Sequence, residues 1–246
     1  MSRPKNILLI LFSAGLLACG DIAPVVELNA LQAGDVYPEI EMIRNINGET
    51  LQAQSRITVR MKDRDGKHVE ILNGEIRVNG VKLSPPYALL NDTRPYYLSY
   101  TPVVSDSIYA FEIVFSDSSR FYAWIETPEI EFTSVNFDRR HPDRANMKVS
   151  WSPVDFRYPQ YAIIQHFSAA DGFTQKGQIV LNINYPFYGE FTIDGSHLRY
   201  SDNDPDRLDE HRIKIVAEET GVVDNRFHRG GYIQARIAIF NNLEIY

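Results

Sequence analysis

The sequence predicts an all-β protein, built as two β-sandwiches in tandem behind a cleavable leader. Three observations predict it. Past residue 30, apolar residues recur at every second position in many short runs, and each run stops at Gly, Pro, Asn or Asp. No stretch repeats its apolar residues at helical spacing. With 246 residues, 44% hydrophobic and 23% charged, the chain has apolar matter for two small cores, which excludes a disordered tail, a collagen-like repeat and a multi-pass membrane protein.

Residues 1–18 read as a signal peptide: Arg3 and Lys5 precede the apolar run Ile7-Leu8-Leu9-Ile10-Leu11-Phe12, and small and apolar residues follow to Ala18. The run is too short to span a bilayer, which takes about 20 residues. Residues 19–29 then form a tether. Removing Arg3 and Lys5 with the leader leaves 23 basic residues against 32 acidic, a formal charge of −9. A phosphate backbone is repelled by that balance, so nucleic acid is not an expected partner.

The first sandwich is expected over residues 30–126. In 55–61, Ile57, Val59 and Met61 share one face and Arg56, Thr58 and Arg60 the other, because strand side chains alternate. Asp63-Arg64-Asp65-Gly66 reads as the turn that ends this strand. Asn79-Gly80 between Glu75–Val78 and Val81–Leu83 predicts a hairpin, since both residues accept positive φ. Residues 96–100, 108–115 and 121–124 continue the pattern, and Thr127-Pro128-Glu129 marks the joint, because proline interrupts a ladder. The second sandwich, 127–246, is expected to hold seven strands, near 130–132, 147–153, 161–167, 178–183, 190–193, 213–219 and 232–240.

Two family resemblances follow. Leu16-Leu17-Ala18-Cys19 resembles the lipobox of bacterial lipoproteins. The resemblance implies that the Cys19 thiol receives a diacylglyceryl group, that the leader is cut after Ala18, and that the new amine is acylated. At about 0.8 kcal/mol per buried methylene, several chains hold a domain firmly on a membrane. Gly20 follows the cysteine where some inner-membrane lipoproteins carry aspartate, so the resemblance implies an outer-membrane location in a Gram-negative cell envelope. The second resemblance begins at Val149-Ser150-Trp151-Ser152-Pro153 and Tyr161-Ala162-Ile163, which look like the second and third strands of a fibronectin type III domain. Ile213 to Gly221 looks like its sixth strand and the following turn. His211 stands where that family has its corner tyrosine, and Pro205 where it has a leucine. The first half resembles a generic immunoglobulin-like domain.

Candidate chemistry is sparse. Asp202, Asp204 and Asp206 alternate carboxylates that could serve Ca²⁺ as hard oxygen ligands; aspartates are also turn formers. The EF-hand pattern fails, since its sixth and twelfth positions, counted from Asp202, hold Arg207 and Ile213. The six histidines share no close spacing, there is no HExxH or Gly-x-Ser-x-Gly, and the single cysteine, Cys19, is committed to lipid. No catalytic residue is assigned. Aromatic clusters offer binding instead: Tyr96, Tyr97 and Tyr100, and above all Tyr185, Phe187 and Tyr188, whose near-consecutive side chains cannot all face one interior. The expected protein is a membrane-anchored envelope lipoprotein acting as a non-catalytic binding or assembly module, with an envelope protein or a glycan as partner. A glycan-binding lipoprotein of a nutrient-capture system and a hydrolase are the alternatives.

Overall fold

The computed structural model describes residues 33–71, 73–84, 96–168, 174–198 and 210–246; Cys19 with the leader and tether, and Asp202, Asp204, Pro205 and Asp206, lie outside them. The first half contributes β1 (Val36–Asn47), β2 (Ala53–Asp63), β3 (His68–Val69), β4 (Glu75–Val78), β5 (Val81–Lys82), β6 (Tyr97–Ser99), β7 (Ile108–Val114) and β8 (Arg120–Glu126). From the second half come β9 (Ser134–Asn136), β10 (Arg140–His141), β11 (Met147–Ser152), β12 (Tyr161–Ser168), β13 (Thr174–Asn182), β14 (Glu190–Ile193), β15 (Glu210–Thr220), β16 (Val222–Val223) and β17 (Tyr232–Ile245). The protein is all-β, and none of its sheets closes into a barrel.

Alternation dictates which face each strand buries. Ile57, Val59 and Met61 of β2 are almost wholly buried, while Arg56 and Arg60 point outward. Asn79 and Gly80 turn the β4–β5 hairpin at φ 47° and 80°, and the Asn79 side chain accepts a 2.8 Å hydrogen bond from the Ala110 amide on β7. At the end of β2, the Asp63 carboxylate accepts from the amides of Asp65 and Lys67 at 3.0 and 2.8 Å, and Gly66 takes φ 78°. That carboxylate is engaged in the turn.

One long sheet runs β13-β12-β15-β17-β1-β2-β3, with β6 paired to β2 and β10 to β17. Against it lie a five-stranded sheet, β16-β8-β7-β4-β5, and a three-stranded one, β14-β11-β9. Burial follows: β1, β2, β4, β7 and β8 enclose one core around Ile40, Ile57, Phe111 and Ile125, whereas β9, β11, β12, β14 and β15 enclose another around Val149, Trp151, Ile164 and Ile215. Strand β17 belongs to both. Its Ile233 and Ala235 enter the first core, and its Ile237, Ile239, Leu243 and Ile245 enter the second. Along this strand β1 pairs parallel and β15 antiparallel, and Ile46 at the end of β1 reaches into the second core.

Several expected boundaries are corrected. No strand forms at 130–132: Ile130 and Phe132 are buried in the second core, but the connector's backbone bonds, Thr127 N–H to the Ser107 carbonyl, Asp106 N–H to the Pro128 carbonyl and Thr133 N–H to the Ser152 carbonyl, flank this stretch and build no ladder through it. Strand β1 was not foreseen. Its Pro38 lacks an N–H, and it sits where β1 pairs with β2 alone, since pairing with β17 starts at Glu39. Strand β13 starts at Thr174 rather than 178, and β17 continues to Ile245 rather than 240.

Candidate functional site

The loop between β13 and β14 presents the aromatic trio foreseen in the sequence. Pro186–Tyr188 form a 3-10 turn, with Tyr188 N–H donating to the Tyr185 carbonyl and Gly189 N–H to that of Pro186. Gly189 is required there. It takes φ 68°, and a Cβ on it would stand 2.5 Å from Val154 Cγ2. Its carbonyl accepts from Trp151 N–H at 3.1 Å, which ties the turn to β11. The turn thus holds Tyr185, Phe187 and Tyr188 at 61%, 47% and 67% exposure, with ring centroids 6.0, 5.9 and 4.4 Å apart. Three large rings kept in contact with one another in water form a surface suited to an apolar face of a ligand.

The other tyrosine cluster separates. Tyr96 and Tyr97 are buried, and the Tyr97 hydroxyl accepts a 3.0 Å hydrogen bond from the Ile71 amide. Burial pushes its phenol up to about 12. Tyr100 alone stays outside, 72% exposed.

A groove of about 270 Å³, not foreseen, lies where the end of β8, the 127–133 connector, the β11–β12 loop and the end of β15 meet. Trp124 forms one wall; Glu126, Glu129, Arg157 and Glu219 supply charge. Arg157 Nη2 donates to Glu129 at 2.7 Å, and its guanidinium stacks 5.2 Å from the Tyr158 ring. The buried Tyr158 hydroxyl donates to the Glu219 carboxylate, and burial, then that contact, raises the phenol above its ordinary range. Two of the three carboxylates are therefore already engaged. The signal for Trp124 was present in the sequence: with Phe121, Ala123 and Ile125 inward, alternation sends Tyr122 and Trp124 outward, and both are half exposed.

Strand pairing also joins two histidines that are far apart in sequence. His166 on β12 faces His211 on β15 in register, rings edge to face at 4.8 Å. His211 is fully buried, with neither ring nitrogen bonded among the described residues. Burial, then the neighbouring His166, pulls it down to about 4, and burial lowers His166 as well. Among the described residues no group of three His, Cys, Asp or Glu is placed to hold a metal ion, and no helix is long and apolar enough to cross a membrane.

No family model matches the chain, and no curated protein matches it. Among solved structures it is similar to SGBP-B of the mixed-linkage glucan utilization locus of Bacteroides ovatus, determined in complex with a mixed-linkage heptasaccharide. The two are 11% identical, the match covers 78% of this chain and 54% of that one, and the TM-score is 0.19. The chain spans about half the length of that protein.

Proposed function

We propose that the protein is a lipid-anchored module of the cell envelope that binds a glycan without transforming it, and that Tyr185, Phe187 and Tyr188 are its contact surface. The observation that carries this reading is the exposure of three touching rings on one hydrogen-bonded turn. The C–H face of a sugar ring packs on such a surface, and burying the rings against it releases water from apolar area. In the Trp124 groove, the ion pair of Glu129 with Arg157 and the hydrogen bond that the Tyr158 hydroxyl donates to Glu219 favour binding over hydrolysis.

The anchor is Cys19, and the assignment to the outer membrane rests on the residues after it. For the two halves we propose the division at residue 126/127, with 127–246 a fibronectin type III-like sandwich. Its strand order supports this: β14-β11-β9 packs across the second core from β13-β12-β15-β17. A protein partner is the second reading, favoured by Ile108, Tyr122, Trp124 and Val222, which are exposed together on the outer face of the five-stranded sheet.

The test is an array of neutral oligosaccharides, followed by calorimetric titration of any that bind. Tyr188→Ala is expected to weaken binding at least tenfold while leaving the melting temperature within a few degrees. An array without a neutral binder, or an unchanged affinity in Tyr188→Ala, contradicts the proposal.

A further inference from the structure

The outward face of the long sheet carries a second feature, away from the aromatic turn. A hollow of about 520 Å³ is lined by Ile43 and Asn45 of β1, by Gln54, Ser55 and Arg56 of β2, and by the exposed ring of Tyr100. Tyr100 and Ser55 also line a second hollow of about 310 Å³, so the ring borders both depressions. From β15, Lys214 extends across β17 until its Nζ lies 3.4 Å from Asn45 Oδ1, which brings a second cation to the rim beside Arg56.

Charge pairing on this face is uneven. Lys62 pairs with Glu39 at 2.7 Å, Arg60 with Glu41 at 2.9 Å, and Arg236 with Glu218 at 2.7 Å. Arg56 and Lys214 have no carboxylate partner among the described residues. Arg212 stacks on the rings of Phe167 and Phe240 and donates to Asn242, adding to the positive field. Burial first, and then Arg212 and Arg56, hold the Lys214 ammonium down to about 8. On a mature chain of formal charge −9, two cations together without a counter-ion among the described residues mark a place that an anion fills favourably.

We infer that this hollow binds an acidic saccharide, with Arg56 and Lys214 on the carboxylate and Tyr100 under the sugar ring. Arg56 offers the planar fork that a carboxylate accepts in two parallel hydrogen bonds. Asn45 and Gln54 bring amide groups within reach of sugar hydroxyls. The ring and the paired cations together distinguish an acidic sugar from a bare oxyanion, which has no face to stack. This site shares no residue with the Tyr185–Tyr188 turn, and neither site depends on the other.

The experiment is calorimetric titration of the full-length protein in neutral detergent at low salt. Its probes are trigalacturonate and a glucuronate-containing tetrasaccharide; galactotriose and inorganic phosphate are the comparisons. The expected result is binding of at least one acidic probe at least tenfold tighter than galactotriose, weakening steeply with added salt. Arg56→Gln and Tyr100→Ala, both at exposed positions, are each expected to cut that affinity at least tenfold with an unchanged circular dichroism spectrum. Failure of both acidic probes, equal affinity for galactotriose, or phosphate binding as tightly with Tyr100→Ala without effect, would each overturn the inference. Loss of neutral-glycan binding in Tyr188→Ala bears only on the turn.

Discussion

The two sandwiches stand on one sheet yet are filled differently. Around the first core, aromatic rings meet edge to face or tilted: Phe115 and Phe121 at 5.1 Å, Phe121 and Phe227 at 5.0 Å, with Phe111 and Tyr109 beside them. The second is aliphatic around Trp151 and Tyr158, and on the same inward face of β15 as Ile213 it buries His211, against which the half-buried His166 packs. The contrast teaches where each half is vulnerable. A core of apolar side chains and bonded tyrosine hydroxyls is sensitive chiefly to lost volume, whereas a core holding an imidazole that is not bonded among the described residues is sensitive to acid. Because β17 enters both, damage to either is expected to reach the other.

The largest effect is expected from Phe111→Ala, which empties a fully buried site in the first core and should cost about 3–5 kcal/mol. The two tryptophans allow the comparison to be broken cleanly. With Trp124→Phe as background, the remaining Trp151 reports the second core, and its denaturant midpoint should fall together with that of the whole chain. A Trp151 transition left in place would separate the two halves.

Acid gives the next effect, in the second core. His211 titrates near 6.5 when unfolded and is held down to about 4 when folded, so on acidification the unfolded chain takes the proton first. Stability is therefore complete above pH 6.5 and is lost as pH falls from 6.5 towards 4, by up to about 3 kcal/mol. His166, lowered by burial, acts with the same sign. Urea melts across this range should show the loss, and His211→Leu should flatten it. A wild-type curve that is already flat removes the contrast between the cores.

The smallest effect concerns the contact between β1 and the connector. Arg44 grips both oxygens of Glu131 at 2.6 and 2.5 Å, but Glu131 is half exposed, and water screens such pairs. Glu131→Gln should cost less than about 1 kcal/mol by denaturant melt. A larger loss would make this pair a structural clamp between the halves.

What could be read in the sequence was what local alternation encodes. Ile57, Val59 and Met61, the Asn79-Gly80 hairpin and the outward rings of Tyr185, Phe187 and Tyr188 each announce themselves within a few residues. What escaped depends on partners remote in the chain. Strand β1 alternates, but Pro38 and its outward acids obscure it until pairing with Arg60 and Lys62 gives them a face. The His166–His211 contact, the approach of Lys214 to Arg56 and the Trp124 groove exist only because distant strands lie side by side. Spacing along the chain carries no trace of them.

The central structural claim is that β17 joins the two sandwiches into one scaffold carrying both aromatic surfaces. Native-state hydrogen exchange along this single strand tests it most directly. The account predicts that amides at 233–236, facing the first core, and at 237–243, facing the second, exchange through one opening of the same free energy, and that Phe111→Ala lowers both sets equally. Protection differing by several kcal/mol between the two stretches, with Phe111→Ala affecting only the first, would contradict it.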